Sequence, residues 1–262
     1  MDKSRRDFLK IAGAAVAGLG GGLPLLRGAL SAQEVVHGTA PATKQWAMVV
    51  NVRKCLSERV RSACIEACNS VHNVPTIPDP REEVKWIWTE QFQNTFPDQV
   101  HAHTDPELLG APVLVLCNHC SNPPCVRVCP TQATWKRKSD GIVMMDMHRC
   151  IGCRYCIAAC PYGSRSFNWQ NPRPFLKDGI RPPFPTRTRG VVEKCNFCDD
   201  RLRDGLEPAC VEAARRVPGG EGALTFGDVS DEGSEVSRIL AGEYSIVRKA
   251  SLGTGPNVYY II

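Results

Sequence analysis

The chain has 262 residues, 43% hydrophobic and 23% charged, a globular composition long enough for one large domain or two small ones. Net charge is +5, but the first 32 residues hold five Lys/Arg against two Asp/Glu; the remaining 27 basic and 25 acidic residues leave +2, so charge suggests no nucleic-acid partner. Fourteen cysteines are too dilute for a disulfide-stapled mini-protein and too clustered for ordinary core residues, so their spacing carries the reading.

In chain order, Ser4-Arg5-Arg6-Asp7-Phe8-Leu9-Lys10 precedes a short Ala/Gly-rich apolar stretch that ends near Arg27, with small residues to Ala32. This three-part layout reads as a signal peptide over 1–32, and its arginine pair is similar to the twin-arginine export motif. Export folded into the periplasm is the expected localisation. The apolar run is shorter than the roughly 20 residues a span requires, so membrane association is expected through partners only. Trp46 to Val52 alternates apolar and polar residues and predicts a strand. Arg59 to Asn69 predicts a helix that places Cys64 and Cys68 on one face. Val84 to Phe92 predicts a strand. Ala133–Lys136 and Ile142–Met145, joined through Ser139-Asp140-Gly141, predict a hairpin. Prolines 172, 174, 182, 183 and 185 predict an extended arm whose basic residues at 173, 177, 181, 187 and 189 face solvent. The tail from Gly253 to Tyr260 docks on the fold or reaches a partner.

The cysteines fall in four groups: Cys55, Cys64 and Cys68; Cys117, Cys120, Cys125 and Cys129; Cys150, Cys153, Cys156 and Cys160; and Cys195, Cys198 and Cys210. The third is C-x2-C-x2-C-x3-C-P, the bacterial ferredoxin spacing. Three cysteines two residues apart curl a loop round one cubane cluster. The fourth is expected inside a helix, pointing away to ligate the other cluster of a pair. Cys117, Cys120 and Cys125 therefore take Cys160, and Cys150, Cys153 and Cys156 take Cys129. Zinc also uses C-x2-C pairs, but the full run is a poor tetrahedral layout. Disulfides suit an exported chain, but cysteines in a tight loop need distant partners. No C-x-x-C is followed by His, which excludes covalent haem attachment. His119 and His148 flank cluster cysteines and are expected to shape the loops by hydrogen bonding. Arg154, Tyr155, Asn196 and Phe197 are expected to tune exposure of the sulfurs. No phosphate-binding loop or acid–base pair is evident, so no catalytic residue is assigned and the chain reads as an electron wire.

Behind a twin-arginine signal, these groups resemble the four-cluster ferredoxin subunits of membrane respiratory complexes, the electron-transfer subunits of dimethyl sulfoxide reductase, formate dehydrogenase and formate-dependent nitrite reductase systems. The resemblance runs from about Trp46 to the C-terminus. It implies an α+β fold of two fused bacterial-ferredoxin-like modules with long loops and insertions. Residues 44–110 with 187–262 make one module and residues 111–186 the other. It also implies that Cys195, Cys198 and Cys210 take Cys68.

The chain departs from the pattern at one site. Group one has three stretched cysteines where the family has four, and Ala214 stands where group four should end in cysteine. Both losses fall on the same cluster. The expectation is three 4Fe–4S clusters, with Cys55 and Cys64 as non-ligands, either disulfide-bonded or buried thiols; a rebuilt site using His72 is the lesser possibility. In relatives the lost site faces a molybdenum catalytic subunit. Val52-Arg53-Lys54-Cys55, Ala63–Cys68 and His72-Asn73-Val74-Pro75 resemble instead a sulfur-metabolism branch of the family. There the partners are a quinone-interacting integral membrane subunit and a periplasmic multihaem cytochrome c. The rival expectation is an electron-transfer subunit of a periplasmic molybdenum-dependent reductase.

Overall fold

The structure, a computed structural model, describes residues 44–177 and 179–262; the expected signal at 1–32 lies outside them. Ten strands are β1 (Trp46–Asn51), β2 (Ile87–Gln91), β3 (Pro112–Leu116), β4 (Thr134–Lys136), β5 (Val143–Met145), β6 (Ser166–Phe167), β7 (Val192–Glu193), β8 (Leu224–Asp228), β9 (Ser245–Ile246) and β10 (Val258–Ile261). The helices that matter most are α1 (Glu58–Val71), α2 (Pro124–Arg127), α3 (Tyr155–Ala159), α4 (Ala209–Arg216) and α5 (Glu235–Gly242). The mixture is α+β.

β1 lies at the centre of a four-stranded sheet of order β8-β1-β10-β9. It pairs antiparallel with β8 and parallel with β10. The tail therefore docks, as a neighbour of the first strand. The expected alternation in β1 is only half right: Ala47 to Val50 are all buried. Met48 and Val50 enter the main core, while Ala47 and Val49 pack with Val236 of α5 and Ile261. A strand covered on both faces has no polar side to show.

α1 begins with Glu58 in its first turn, where negative charge suits the helix dipole. Its buried residues Val60, Cys64 and Cys68 are spaced by four and form one stripe. That stripe packs along α4, whose buried residues include Cys210, Val211 and Ala214. The chain after α4 returns so closely that a Cβ on Gly220 would lie 2.2 Å from the Ala214 carbonyl oxygen.

Two small pairings tie distant segments together. β2 pairs with β3, and β6 with β7, both antiparallel. Each crosses a boundary expected between the two modules, and the described residues belong to one compact unit. The hairpin forms as β4–β5. The strand expected over 84–92 is shorter, because Phe92 opens a short helix to Thr95.

The arm is not wholly solvated. Arg187 is fully buried and pairs with fully buried Glu193. Arg187 also donates to the carbonyls of His72 and Asn73. Glu193 accepts from Trp86 Nε1 at 2.6 Å and from Asn168 Nδ2 at 2.6 Å. Two buried charges persist because every partner is supplied. The network fastens the arm to the end of α1. A count of basic residues in a proline-rich tract does not reveal such a partner.

Candidate cluster-binding sites

Cys117, Cys120, Cys125 and Cys160 line one small cavity. Cys117 follows β3, and Cys125 lies on α2. Cys160 stands just past α3, its backbone N–H bonded to the Ile157 carbonyl. Pro123, Pro124, Pro161 and Val143 complete an apolar wall. The tail closes it: Ser121 donates to Gly255 (2.7 Å), Asn122 to Thr254 (2.8 Å) and Asn257 to Asn118 (2.8 Å) through backbone N–H groups.

Cys129, Cys150, Cys153 and Cys156 line a second small cavity. Gly152 turns this loop at φ +71°, where a Cβ would meet the Gly190 carbonyl oxygen at 2.4 Å; only glycine fits. The Val192 N–H donates to Cys150 Sγ at 3.5 Å. Cys153 is exposed, unlike any other cysteine.

Cys68, Cys195, Cys198 and Cys210 are all buried and form a third group. The Cys68 thiol is held well above its usual pKa by burial first and then by Cys198, Cys195 and Cys210. The N–H groups of Phe197 and Ala209 donate to Cys195 and Cys198, each at 3.4 Å. Phe197 and Cys198 are both left-handed, at φ +56° and +54°. That curl brings the Phe197 N–H onto Cys195 Sγ, while the Cys198 N–H turns to Asn196 Oδ1.

The spacing rule placed the fourth cysteine inside a helix, and the structure corrects this. The third cysteine sits on the one-turn helix, as Cys125 on α2 and Cys156 on α3, and the fourth follows it. The following proline cannot extend the helix.

The donor set fits an iron–sulfur cluster. Each cavity gathers cysteines from two separate groups, with amides directed at sulfur. Among the described residues, no three His, Cys, Asp or Glu converge on a single metal ion; a four-iron cube spreads its ligands over several corners. Without counter-charge the most deeply buried of these thiols resist ionisation, whereas backbone and Thr131 hydrogen bonds lower Cys129. Burial and the neighbours Cys117 and Cys125 push Cys120 up to about 12. Burial pushes Cys195 up to about 12, with Cys117 adding to it. Ferric and ferrous ions would reverse that preference, so binding releases protons.

These couplings order the cages. Cys195 of the third feels Cys117 of the first, and Cys156 of the second feels Cys125 of the first. The first cage is central. His119 bridges towards the third: its ring stacks on Phe197 at 3.6 Å, and Nδ1 accepts the Val143 N–H at 3.1 Å. Burial and the cations Lys194 and Arg165 push its pKa well down. It shapes the loop, as expected. His148 is exposed, and its N–H donates to Asp146. Tyr155 is exposed, Arg154 lies over Trp169 at 4.8 Å, and Asn196 accepts the Cys198 N–H.

Cys55 and Cys64 form no disulfide. Both are fully buried, donating to the carbonyls of Ala223 (3.6 Å) and Cys210 (3.4 Å). Burial raises each to about 12. His72 turns to Cys68 of the third cage instead, with Nδ1 3.0 Å from the Cys68 carbonyl and 3.7 Å from its Sγ, and the ring stacked on Trp86.

Two buried cations beside the cluster cysteines escaped the sequence reading, as did a third, Arg248, which donates to the Tyr162 carbonyl. Arg165 reaches Cys125 Sγ at 3.0 Å, and Lys194 donates to the carbonyls of Val143 and Cys195. Their signal was adjacency: Arg165 follows Cys160 by five residues, and Lys194 directly precedes Cys195.

Cysteine cages of this kind define a class, the iron–sulfur electron carriers, and the comparisons agree on the class. The 4Fe–4S dicluster domain family matches residues 113–173, which contain the first two cages. The chain is 40% identical to the Hdr-like menaquinol oxidoreductase iron–sulfur subunit 1 of Archaeoglobus fulgidus, covering 98% of this chain and 97% of that one. It is 35% identical to the menaquinone reductase iron–sulfur cluster-binding subunit of Nitratidesulfovibrio vulgaris, over 83% of this chain and 88% of the relative. It is 32% identical to the arsenate respiratory reductase iron–sulfur subunit ArrB of a Shewanella species, over 82% and 94%. The chain belongs to this family of iron–sulfur electron-transfer subunits of oxidoreductase complexes, and is not itself a catalytic subunit. Among the described residues no helix is long and apolar enough to cross a membrane.

Proposed function

We propose that the chain carries three 4Fe–4S clusters in a membrane-bound respiratory complex of sulfur metabolism. It exchanges electrons between a quinone-interacting integral membrane subunit and a periplasmic multihaem cytochrome c or other redox subunit. The ligand sets are Cys117, Cys120, Cys125 with Cys160; Cys150, Cys153, Cys156 with Cys129; and Cys195, Cys198, Cys210 with Cys68. The two fused modules are the halves that supply these sets. The observation that carries the reading is the pair of similar cavities, each lined by three cysteines of one run and the last of another.

The clusters supply one-electron chemistry without a proton requirement. The protein supplies the rest. Burial excludes water, the Phe197, Ala209 and Val192 amides hold negative charge on sulfur, and the tail fixes the central loop. The names of two relatives, a menaquinol oxidoreductase and a menaquinone reductase, support a quinone-linked partner. Within the family, the group-one residues favour the periplasmic iron–sulfur subunit DsrO of the sulfite-reduction-associated complex DsrMKJOP. Twin-arginine export to the periplasm is part of this reading. The molybdenum-reductase alternative needs a cluster at Cys55 and Cys64. Both thiols there are instead engaged with backbone carbonyls.

Iron and acid-labile sulfide are to be measured on anaerobically purified protein, with EPR of the reduced state. About 12 iron per chain is expected from three four-iron clusters. About 16 would mean a rebuilt fourth site and would remove the partner argument, which rests on its loss.

A further inference from the structure

Arg165 is 5% exposed, yet among the described residues it pairs with no carboxylate. A cation buried without a counter-charge costs several kcal/mol in principle, so the groups that face it decide what it does. Its three contacts name those groups. Nη2 donates to Cys125 Sγ at 3.0 Å and to the Thr134 hydroxyl at 2.8 Å, and Nη1 lies 3.7 Å from Met145 Sδ. Cys125 lines the first cavity, whereas Thr134 and Met145 line the second. The guanidinium therefore stands in the wall between the two cages. The cysteines closest to it electrostatically come from both sides, Cys125 and Cys117 of one cage and Cys156 of the other.

Lys194 offers the contrast. It is equally buried near the joint between the first and third cages, but its ammonium is spent on two backbone carbonyls. Of the two cations, only Arg165 donates to a ligand sulfur. Arginine suits the position because its fork bonds several acceptors at once and its charge is permanent.

We propose that Arg165 is a shared electrostatic positioning residue for two clusters, raising the reduction potentials of the Cys117/Cys120/Cys125/Cys160 and Cys129/Cys150/Cys153/Cys156 sites together. This rests on the three-cluster reading. Each reduction adds one electron and no proton, so the added negative charge meets a fixed positive one. One guanidinium in a common wall favours the reduced state on both sides. It keeps neighbouring steps of the wire close in potential. The sulfurs that face it, those of Cys125, Cys117 and Cys156, belong to the first two cages, so the third feels it least.

The test is an EPR-monitored titration of the full chain with dithionite and mediators, beside iron analysis. In Arg165→Gln, two of the three midpoints are expected to fall. At a fixed potential the reduced-to-oxidised ratio of each drops about tenfold, equivalent to about 59 mV for a one-electron couple. The third midpoint stays. Arg165→Lys keeps the charge without the fork, and its midpoints stay close to wild type. Unshifted midpoints with full iron content, or equal shifts of all three, overturn the proposal. Should Arg165→Gln lose iron, Arg165→Lys decides: wild-type midpoints support the charge, and lowered ones refute it. A wild type without about 12 iron breaks the cluster reading itself. A wild type with that content and an unmoved Arg165→Gln breaks this inference alone.

Discussion

Cys64 and Cys68 stand one turn apart on the same helix and meet opposite fates. Cys68 faces Cys195, Cys198 and Cys210 across a region where amides point at sulfur. Cys64 faces the backbone of α4 and donates to the Cys210 carbonyl. Around Cys68 the protein gathers donors towards thiols that can ionise on metal. Around Cys64 the thiol is itself the donor, and Val60, Val211, Ala214 and Leu224 fill the space. Cys64 too has thiol neighbours, in Cys55 and Cys210, but it gives its proton to a carbonyl where the third cage turns N–H groups onto sulfur.

The sharpest way to break this comparison is to remove each thiol in turn. Cys68→Ser is expected to lose about 4 iron per chain, one whole cluster of the 4Fe–4S type. Cys64→Ser is expected to lose none. Iron and sulfide analysis of the two variants, purified side by side, reads the difference directly. Equal losses would mean that Cys64 is a ligand and that the two regions are alike.

The scaffold between the two regions is next in size. Arg187 and Glu193 tie the arm and β7 to the end of α1, close behind Cys68. Glu193→Gln leaves Arg187 buried without its counter-charge. Removing one partner of a buried pair costs about 3–5 kcal/mol. The loss is expected in the denaturant midpoint of the cluster-loaded protein. A change below about 1 kcal/mol, the range of exposed pairs, would show that the network is not the fastening it resembles.

Much of this was legible in the sequence, for identifiable reasons. The crossed pairing of Cys129 and Cys160 followed from ligand spacing, and the structure gathers those cysteines into the same two cavities. The helix bearing Cys64 and Cys68 and the hairpin at 134–145 were visible because both depend on local periodicity and turn residues. What stayed hidden depends on contacts far along the chain. β1 looked half-exposed because α5, nearly two hundred residues later, covers its second face. Arg187 looked solvated because the His72 and Asn73 carbonyls that bury it lie more than a hundred residues earlier. Arg165 was an unremarked basic residue until Cys125, Thr134 and Met145 came round it. Spacing shows which cysteines can share a cluster. It does not show which cations stand between the clusters.

The smallest expected effect tests whether the closed region can be reopened. Ala214 occupies the position where the family's last group-four cysteine would stand. It is almost fully buried on α4, and its carbonyl oxygen accepts the Val217 N–H at 3.1 Å. Ala214→Cys would supply a third thiol beside Cys55 and Cys64, one short of the four a cube takes. The two resident thiols would also have to give up their carbonyl partners and ionise from about 12. Both thiols are fully buried in the main apolar core, so no iron gain is expected. The added sulfur instead overfills a packed contact between α1 and α4, which costs about 1–3 kcal/mol in typical cores. Chemical denaturation alongside iron analysis separates the outcomes. A destabilised chain with unchanged iron supports a region committed to packing. A gain of iron at unchanged stability would mean that it kept the shape of a cluster site after losing the ligands.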